Sequence, residues 1–264
     1  MYSNKQKLLS QNFLCNRQLV SQLVRLSSVG KNDTVLEIGA GNGIITQDLV
    51  RVAKKVIAVE IDSNHFHTLQ SRLSHHSNLE LVHSNFLNLS LPTKPYKVFS
   101  NLPFRITAHV IRKLIFSSAP LLEAYLIIQK EATDKLIPKT KHNSLLALLF
   151  YPWYEFKIVH QFSRSDFIPK PNVDSVLLKI VRRQTPLISP NQRENFQDYI
   201  AHQFNKNRLA KFVSPQSWLI KFMQEQNQTC HKGYFTKLII EQSKLQKIHR
   251  TRKDKNWKRF KPGH

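Results

Sequence analysis

Glycine is scarce in this chain, and so are cysteine and acidic residues. There are six glycines and two cysteines in 264 residues. The cysteines, Cys15 and Cys230, are far apart and form no metal-type spacing. Nothing in the sequence calls for a disulfide between them, and they fit a reducing compartment. Long apolar runs are missing too. The longest, Leu145 to Tyr151, is stopped by Pro152, far short of the ~20 residues a membrane span needs. The first nine residues are polar and lysine-bearing, without an apolar segment of signal-peptide type. The expectation is a cytoplasmic protein with no membrane partner. No internal repeat is visible. The acid deficit says most: 17 Asp and Glu stand against 40 Lys and Arg, a formal net charge of +23. A surface this basic calls for a polyanion, with nucleic acid ahead of an anionic membrane.

What is present is an alternation. Short apolar runs read as buried strands: Thr34–Ile38, Val56–Glu60, Leu79–Val82, Lys97–Asn101 and Ala124–Gln129. Between them lie helical patterns at 44–52, 64–73 and 109–116, and another precedes the first strand at 16–26. Strands alternating with helices predict an α/β domain with a parallel sheet covered on both faces. Two further strands are expected at 157–161 and 175–181. The link between them, Phe167 to Val173, is stiffened by Pro169 and Pro171. Beyond Pro186 only helical periodicity remains. The expected organisation is therefore a domain over 1–185, a helical RNA-binding domain over 186–243 and a flexible basic tail over 244–264. Residues 201–264 hold fifteen Lys and Arg against three acids.

Three of the six glycines fall in Glu37-Ile-Gly39-Ala-Gly41-Asn-Gly43, after one strand and before a helix. Such a loop turns tightly and lets the backbone approach a ligand. Glu60 ends the next strand, where a carboxylate can accept both hydroxyl hydrogens of a ribose. In isolation a glycine loop is often only a turn, and a strand-end acid is often only solvated. Their order here favours a cofactor site. Nicotinamide and flavin dinucleotides prefer a third glycine one residue later, so the spacing favours S-adenosylmethionine, which has no pyrophosphate.

Asn101-Leu102-Pro103-Phe104 closes another strand. The amino nitrogen of adenine is a poor nucleophile, its lone pair being delocalised into the ring. The Asn101 amide oxygen and a backbone carbonyl, that of Leu102, could accept its two hydrogens and aim it at a methyl donor. Pro103 fixes the turn and Phe104 can stack on the base. The bland alternative is a proline turn with Phe104 in the core. No general base is needed, since a sulfonium donor leaves a cationic product that sheds its proton easily. Rate then comes from positioning and electrostatics.

With these segments, and with Ser10-Gln-Asn-Phe-Leu14, Val59-Glu-Ile-Asp62 and Pro169-Lys-Pro-Asn-Val-Asp-Ser-Val176, the chain resembles the rRNA adenine N6-methyltransferases. That family holds the Erm-type macrolide–lincosamide–streptogramin B resistance enzymes and the housekeeping small-subunit dimethyladenosine transferases. The resemblance implies a Rossmann-like S-adenosylmethionine-dependent methyltransferase with a smaller all-helical C-terminal domain. It implies that Asn12 and Leu14 border the methionine end of the cofactor and that Gly39 and Gly41 lie under it. Glu60 would hold the ribose, with Ile61 beside it, and Asn101 would bridge cofactor and target amine. Asn85 stands where the family usually has an aspartate that accepts from the cofactor adenine. An amide oxygen can do the same without charge assistance.

Within the family, Pro169 to Leu177 and Gln216-Ser-Trp-Leu219 look closer to the Erm branch. His202 to Arg208 matches poorly the Arg-Arg-Lys-type run of the housekeeping branch. The expectation is a monomer that methylates 23S rRNA and confers resistance. The alternatives are the housekeeping small-subunit activity, an inactive nucleic-acid-binding relative and a nicotinamide-dependent enzyme. His65, His67, His75 and His76 lack carboxylate or cysteine partners at ligand spacing, so no metal is expected. Trp153 and Trp218 are expected in the core, and Trp257 is open to an RNA role.

Overall fold

Strand β2 (Thr34–Ile38) has buried residues on both of its faces, and its neighbours explain why. On one side it pairs in parallel with β3 (Lys55–Glu60), which pairs with β4 (Leu79–His83). On the other side it pairs in parallel with β5 (Tyr96–Asn101), which pairs with β6 (Leu121–Gln129). In this computed structural model, which describes residues 12–207, 209–225 and 233–237, the order of the large sheet is β4-β3-β2-β5-β6-β9-β7. The last two strands are β7 (Tyr154–Phe162) and β9 (Ser175–Arg182), and β9 is the exception to the expected parallel sheet. Strand β9 runs antiparallel to both β6 and β7, because the chain returns from β7 to β9 by a short link rather than a helical crossover.

Side chains alternate across the strands. Val35, Val56, Ala58, Phe99, Tyr125 and Ile127 face one way. There they meet Val20, Leu23 and Val24 of α1 (Arg17–Leu26), Leu49 and Val50 of α2 (Thr46–Val52), and Leu69 and Leu73 of α3 (Ser63–Leu73). Helix α1 starts where the Asn16 side chain accepts the Leu19 N–H, and α3 where Asp62 accepts from Asn64 and His65. Helix α4 (Thr107–Phe116) buries Val110, Ile111, Leu114 and Ile115. This is a doubly wound, Rossmann-like α/β fold. Its strand order reverses between β2 and β5, the crevice where ligands bind in open parallel sheets.

A second, two-stranded sheet was not legible from the sequence. Strand β1 (Phe13–Leu14) pairs antiparallel with β8 (Phe167–Ile168), and the Cys15 N–H donates to the Asp166 carbonyl at 2.9 Å. The proline-rich stretch expected to be only a link therefore anchors the segment holding Asn12 and Leu14.

The chain divides into two compact units, one of residues 1–137 and 153–184 and one of 138–152 and 185–264. A single break near Pro186 was expected, with 138–152 inside the first domain. Those residues pack with the second unit instead. The Asn143 backbone N–H donates to the Lys211 carbonyl at 2.7 Å, and its side chain to Val213 at 3.2 Å. Apolar Leu145–Phe150 forms a short helix that packs on the Arg193–Lys206 helix. Pro215–Gln224 is a further helix, with Trp218 buried and its indole N–H donating to Ala210. The described elements of this second unit are all helical. Ser10, the proposed tail over 244–264, Trp257 and Cys230 lie outside the described residues.

Candidate active site

Three strand ends converge on the crevice. At the end of β2 the chain turns through Gly39, Gly41 and Gly43, at φ of 72°, 57° and 80°. The Gly39 and Ala40 N–H groups both donate to the Val59 carbonyl, at 2.8 and 3.2 Å, which pins the loop to β3. A Cβ on Gly41 would lie 3.0 Å from the Phe13 ring, and one on Gly43 2.6 Å from a Leu69 methyl. The loop is thus held from both sides, by β1 and by α3.

Glu60 ends β3 and is buried. Its carboxylate accepts the Gly41 N–H at 2.7 Å through Oε2, and the Ile61 and Asp62 N–H groups, each at 2.8 Å, through Oε1. These three bonds fix the carboxylate against the loop and leave lone pairs for further donors. Ile61, next to it, is an apolar residue left 51% exposed at the strand end. Asn85 lies just past β4 and is exposed. Its Oδ1 accepts the Leu87 N–H at 3.0 Å, capping the short turn at 86–88.

Asn101 ends β5. Its Nδ2 donates to the Asn12 carbonyl at 2.9 Å. That bond identifies which end of the amide is which, because a carbonyl can only accept, and it leaves Oδ1 for a donor from outside. Leu102 is buried, and its N–H donates to Ile127 at 3.1 Å. The Pro103 carbonyl accepts the Ile106 N–H, closing the turn. Asn12, Phe13, Gly39 and Asn101 to Phe104 line one small pocket, with Phe104 half-buried. The structure therefore brings Asn12, Gly39, Asn101, Leu102, Pro103 and Phe104 together. Glu60 joins them through the glycine loop, with Ile61 following it. Leu14 is buried beneath the site on β1, and Asn85 stands at the end of β4.

Two residues escaped the sequence reading. Phe13 covers Gly41 and lies edge-on to His65, with ring centroids 5.2 Å apart. Its signal was an aromatic residue inside Ser10 to Leu14, read only for its neighbours. Glu37 is buried under the loop, its Oε2 without a hydrogen-bond partner among the described residues. Burial pushes its carboxyl up to about 8; Thr46 pulls it back and the Glu60 charge adds to the rise. Glu37 is thus a neutral acid at pH 7 beside a carboxylate fixed by three amides.

The site fits S-adenosylmethionine on these observations. It has a glycine loop at the switch point, a strand-end carboxylate, an exposed apolar residue beside it, and an amide oxygen left open. Among the described residues no cluster of three His, Cys, Asp or Glu could hold a metal ion, and no helix is long and apolar enough to cross a membrane.

Known proteins resemble this chain in sequence and in fold. The family model described as ribosomal RNA adenine dimethylase matches residues 2–216. The small-subunit rRNA methyltransferase A of Lactococcus lactis is 34% identical over 204 residues, 73% of this chain and 69% of the relative. Its counterpart in Clostridium botulinum is 31% identical over 218 residues, 80% of this chain and 79% of the relative. Among solved structures, the 23S rRNA methyltransferase ErmE superposes with a TM-score of 0.68 at 25% identity, covering 79% of this chain and 97% of that one. A dimethyladenosine transferase from Plasmodium falciparum gives 0.63 at 25% identity, covering 74% and 70%.

Proposed function

We infer the reaction from a plain premise: this chain belongs to the ribosomal RNA adenine dimethylase family and is an S-adenosylmethionine-dependent rRNA adenine methyltransferase. We propose that the methyl goes to the N6 amino group and that Asn101 directs it there. The observation that carries this reading is the hydrogen bond from Asn101 Nδ2 to the Asn12 carbonyl, which leaves Oδ1 as an acceptor on a residue that lines the pocket.

When bound, S-adenosylmethionine supplies a methyl on a sulfonium, a donor that needs no base to activate it. The chain's own residues do the rest. Asn101 Oδ1 and the Leu102 carbonyl each accept one hydrogen of the amine, which localises the nitrogen lone pair and aims it. Phe104 stacks on the base and holds its plane. The Asn12 carbonyl fixes the Asn101 amide, so orientation is set before substrate arrives. The methylated amine then gives up one proton to solvent. On the cofactor side, Glu60 would hold the ribose, Gly39 and Gly41 would lie beneath the cofactor, Asn12 and Leu14 would border its methionine end, and Ile61 and Asn85 would face its adenine.

The subunit is a separate question. The names of the sequence relatives support small-subunit rRNA as substrate. A second reading, 23S rRNA methylation with macrolide–lincosamide–streptogramin B resistance, is favoured by the likeness to ErmE, which extends over nearly that whole chain. The sequence points the same way at Gln216-Ser-Trp-Leu219. Presenting both rRNAs to the protein with labelled S-adenosylmethionine separates the two. Label on small-subunit rRNA with unchanged macrolide sensitivity supports the first reading. Label on 23S rRNA with raised macrolide and lincosamide tolerance in an expressing strain supports the second. Label on neither would overturn the proposed substrate.

A further inference from the structure

Outside the catalytic pocket, the first unit carries a basic groove that the reaction as described does not use. It begins at Phe13, whose ring also lines the catalytic pocket. From there a cleft of about 400 Å³ opens between β1, the outer side of the glycine loop and α3, lined by Arg17, Arg72, His65, Asn42 and Gln47 and by no acid. Past Arg17 and Gln47 it continues as a second cleft of about 430 Å³ between α1 and α2, which adds Arg25 and Arg51. One acid lines the groove, Asp48, and it is paired with Arg51 at 3.2 Å.

Two of the arginines are held by bonds that use only part of their donors. Arg72 is tethered to the loop by one bond, Nη1 to the Asn42 carbonyl at 3.2 Å. Arg25 is steadied by Ser21, through Nε to its carbonyl and Nη2 to its hydroxyl, both at 3.2 Å. Each keeps further N–H donors, since a guanidinium carries five. Arg17 has no hydrogen-bond or ion-pair partner among the described residues and is exposed. Arg17, Arg25 and Arg72 carry positive charge that no acid lining the groove offsets, and like charges along a cleft raise the local concentration of anions. Arg17 and Arg25 are eight residues apart on one helix, a rise of ~12 Å, which spans several backbone phosphates rather than a single small anion.

We propose that this α1–α2 groove is a track for the phosphate backbone of the substrate RNA strand next to the target adenine. It leads to the catalytic pocket at Phe13. The proposal rests on the rRNA reading above and adds a place where the catalytic unit itself grips RNA. Such contacts position the strand without reading its sequence.

The test uses the full chain and protein-free rRNA. The triple variant Arg17→Gln, Arg25→Gln, Arg51→Gln keeps Arg72, and so the tie to the glycine loop. We expect its apparent KM for RNA to rise roughly tenfold or more, because three phosphate contacts are lost. The slope of log affinity against log salt should flatten by roughly 2, at about 0.7 per single-strand contact. S-adenosylmethionine affinity, read by calorimetry, should stay within about twofold. The control Lys94→Gln removes an exposed charge elsewhere and should move the slope by well under 1. An unchanged KM and salt slope in the triple variant, with the parent methylating rRNA, would overturn the groove and leave the reaction standing. An equal effect from Lys94→Gln would overturn it as well, in favour of net charge alone. A parent that neither binds nor methylates rRNA would bring down the substrate reading, and the groove's occupant with it.

Discussion

Asn101 matters for the end of its amide that is not hydrogen-bonded. The Nδ2 bond to Asn12 holds the group in place, and in the proposed reaction Oδ1 would accept from the target amine. Asn101→Ala should lower turnover at least ~100-fold, the usual cost of losing one oriented transition-state contact. Its S-adenosylmethionine affinity should stay within about tenfold by calorimetry. Near-normal turnover would rule out the role. Asn85 gives the second prediction. Its Oδ1 caps the 86–88 turn, a duty aspartate performs equally well. Asn85→Asp should therefore keep the fold and bind S-adenosylmethionine at least as tightly, a charged acceptor replacing a neutral one. A large loss of affinity would count against placing it by the cofactor adenine.

Glu37 gives the third. Its carboxyl is raised to about 8 in the folded chain against about 4.3 unfolded. Between those values the folded state binds the extra proton, so its contribution to stability is intact below about pH 4 and is lost as pH rises through about 8. Glu37→Gln removes that dependence. Urea unfolding should show the parent losing stability relative to the variant between pH 5 and 8, on the order of a few kcal/mol. Parallel curves would contradict it.

At the scale of elements, the glycine loop and its two supports form the working unit. Gly43 sits at a φ of 80° against Leu69 and Leu73 of α3. Gly43→Ala combines backbone strain with overpacking and should cost about 2–4 kcal/mol of stability, measured by denaturant midpoint. A change below 0.5 kcal/mol would show the loop is looser than this packing implies.

The loop was readable from the sequence because rare glycines between a strand and a helix have few explanations. The buried strands were readable for a related reason. Residues buried on both faces leave continuous apolar runs, and β2 is found where the run predicts it. What stayed hidden needed tertiary partners. Two residues cannot show a period, so the pairing of Phe13–Leu14 with Phe167–Ile168 left no pattern in either segment. Nor can a run of apolar residues say whose core it joins: Leu145–Phe150 packs with the second unit. Glu37 was in plain view in its motif, but its neutrality comes from burial, which sequence does not report.

Across the whole molecule, the composition and the site carry different parts of the function. A net charge of +23 announces a polyanion but cannot say where it lies. The groove on α1 and α2 gives part of that charge a location. The basic stretch over 244–264, expected to be a flexible tail, lies outside the described residues. In the proposed reaction base choice would fall to the pocket of Asn12, Asn101 and Phe104, because phosphate contacts carry no sequence information. The most direct measurement is nucleoside analysis of rRNA after incubation with isotope-labelled S-adenosylmethionine, for the parent and for Asn101→Ala. The account predicts label on N6-methylated adenosine with the parent and a loss of at least ~100-fold with the variant. Label on another base, on another adenine atom, or undiminished in the variant would contradict it.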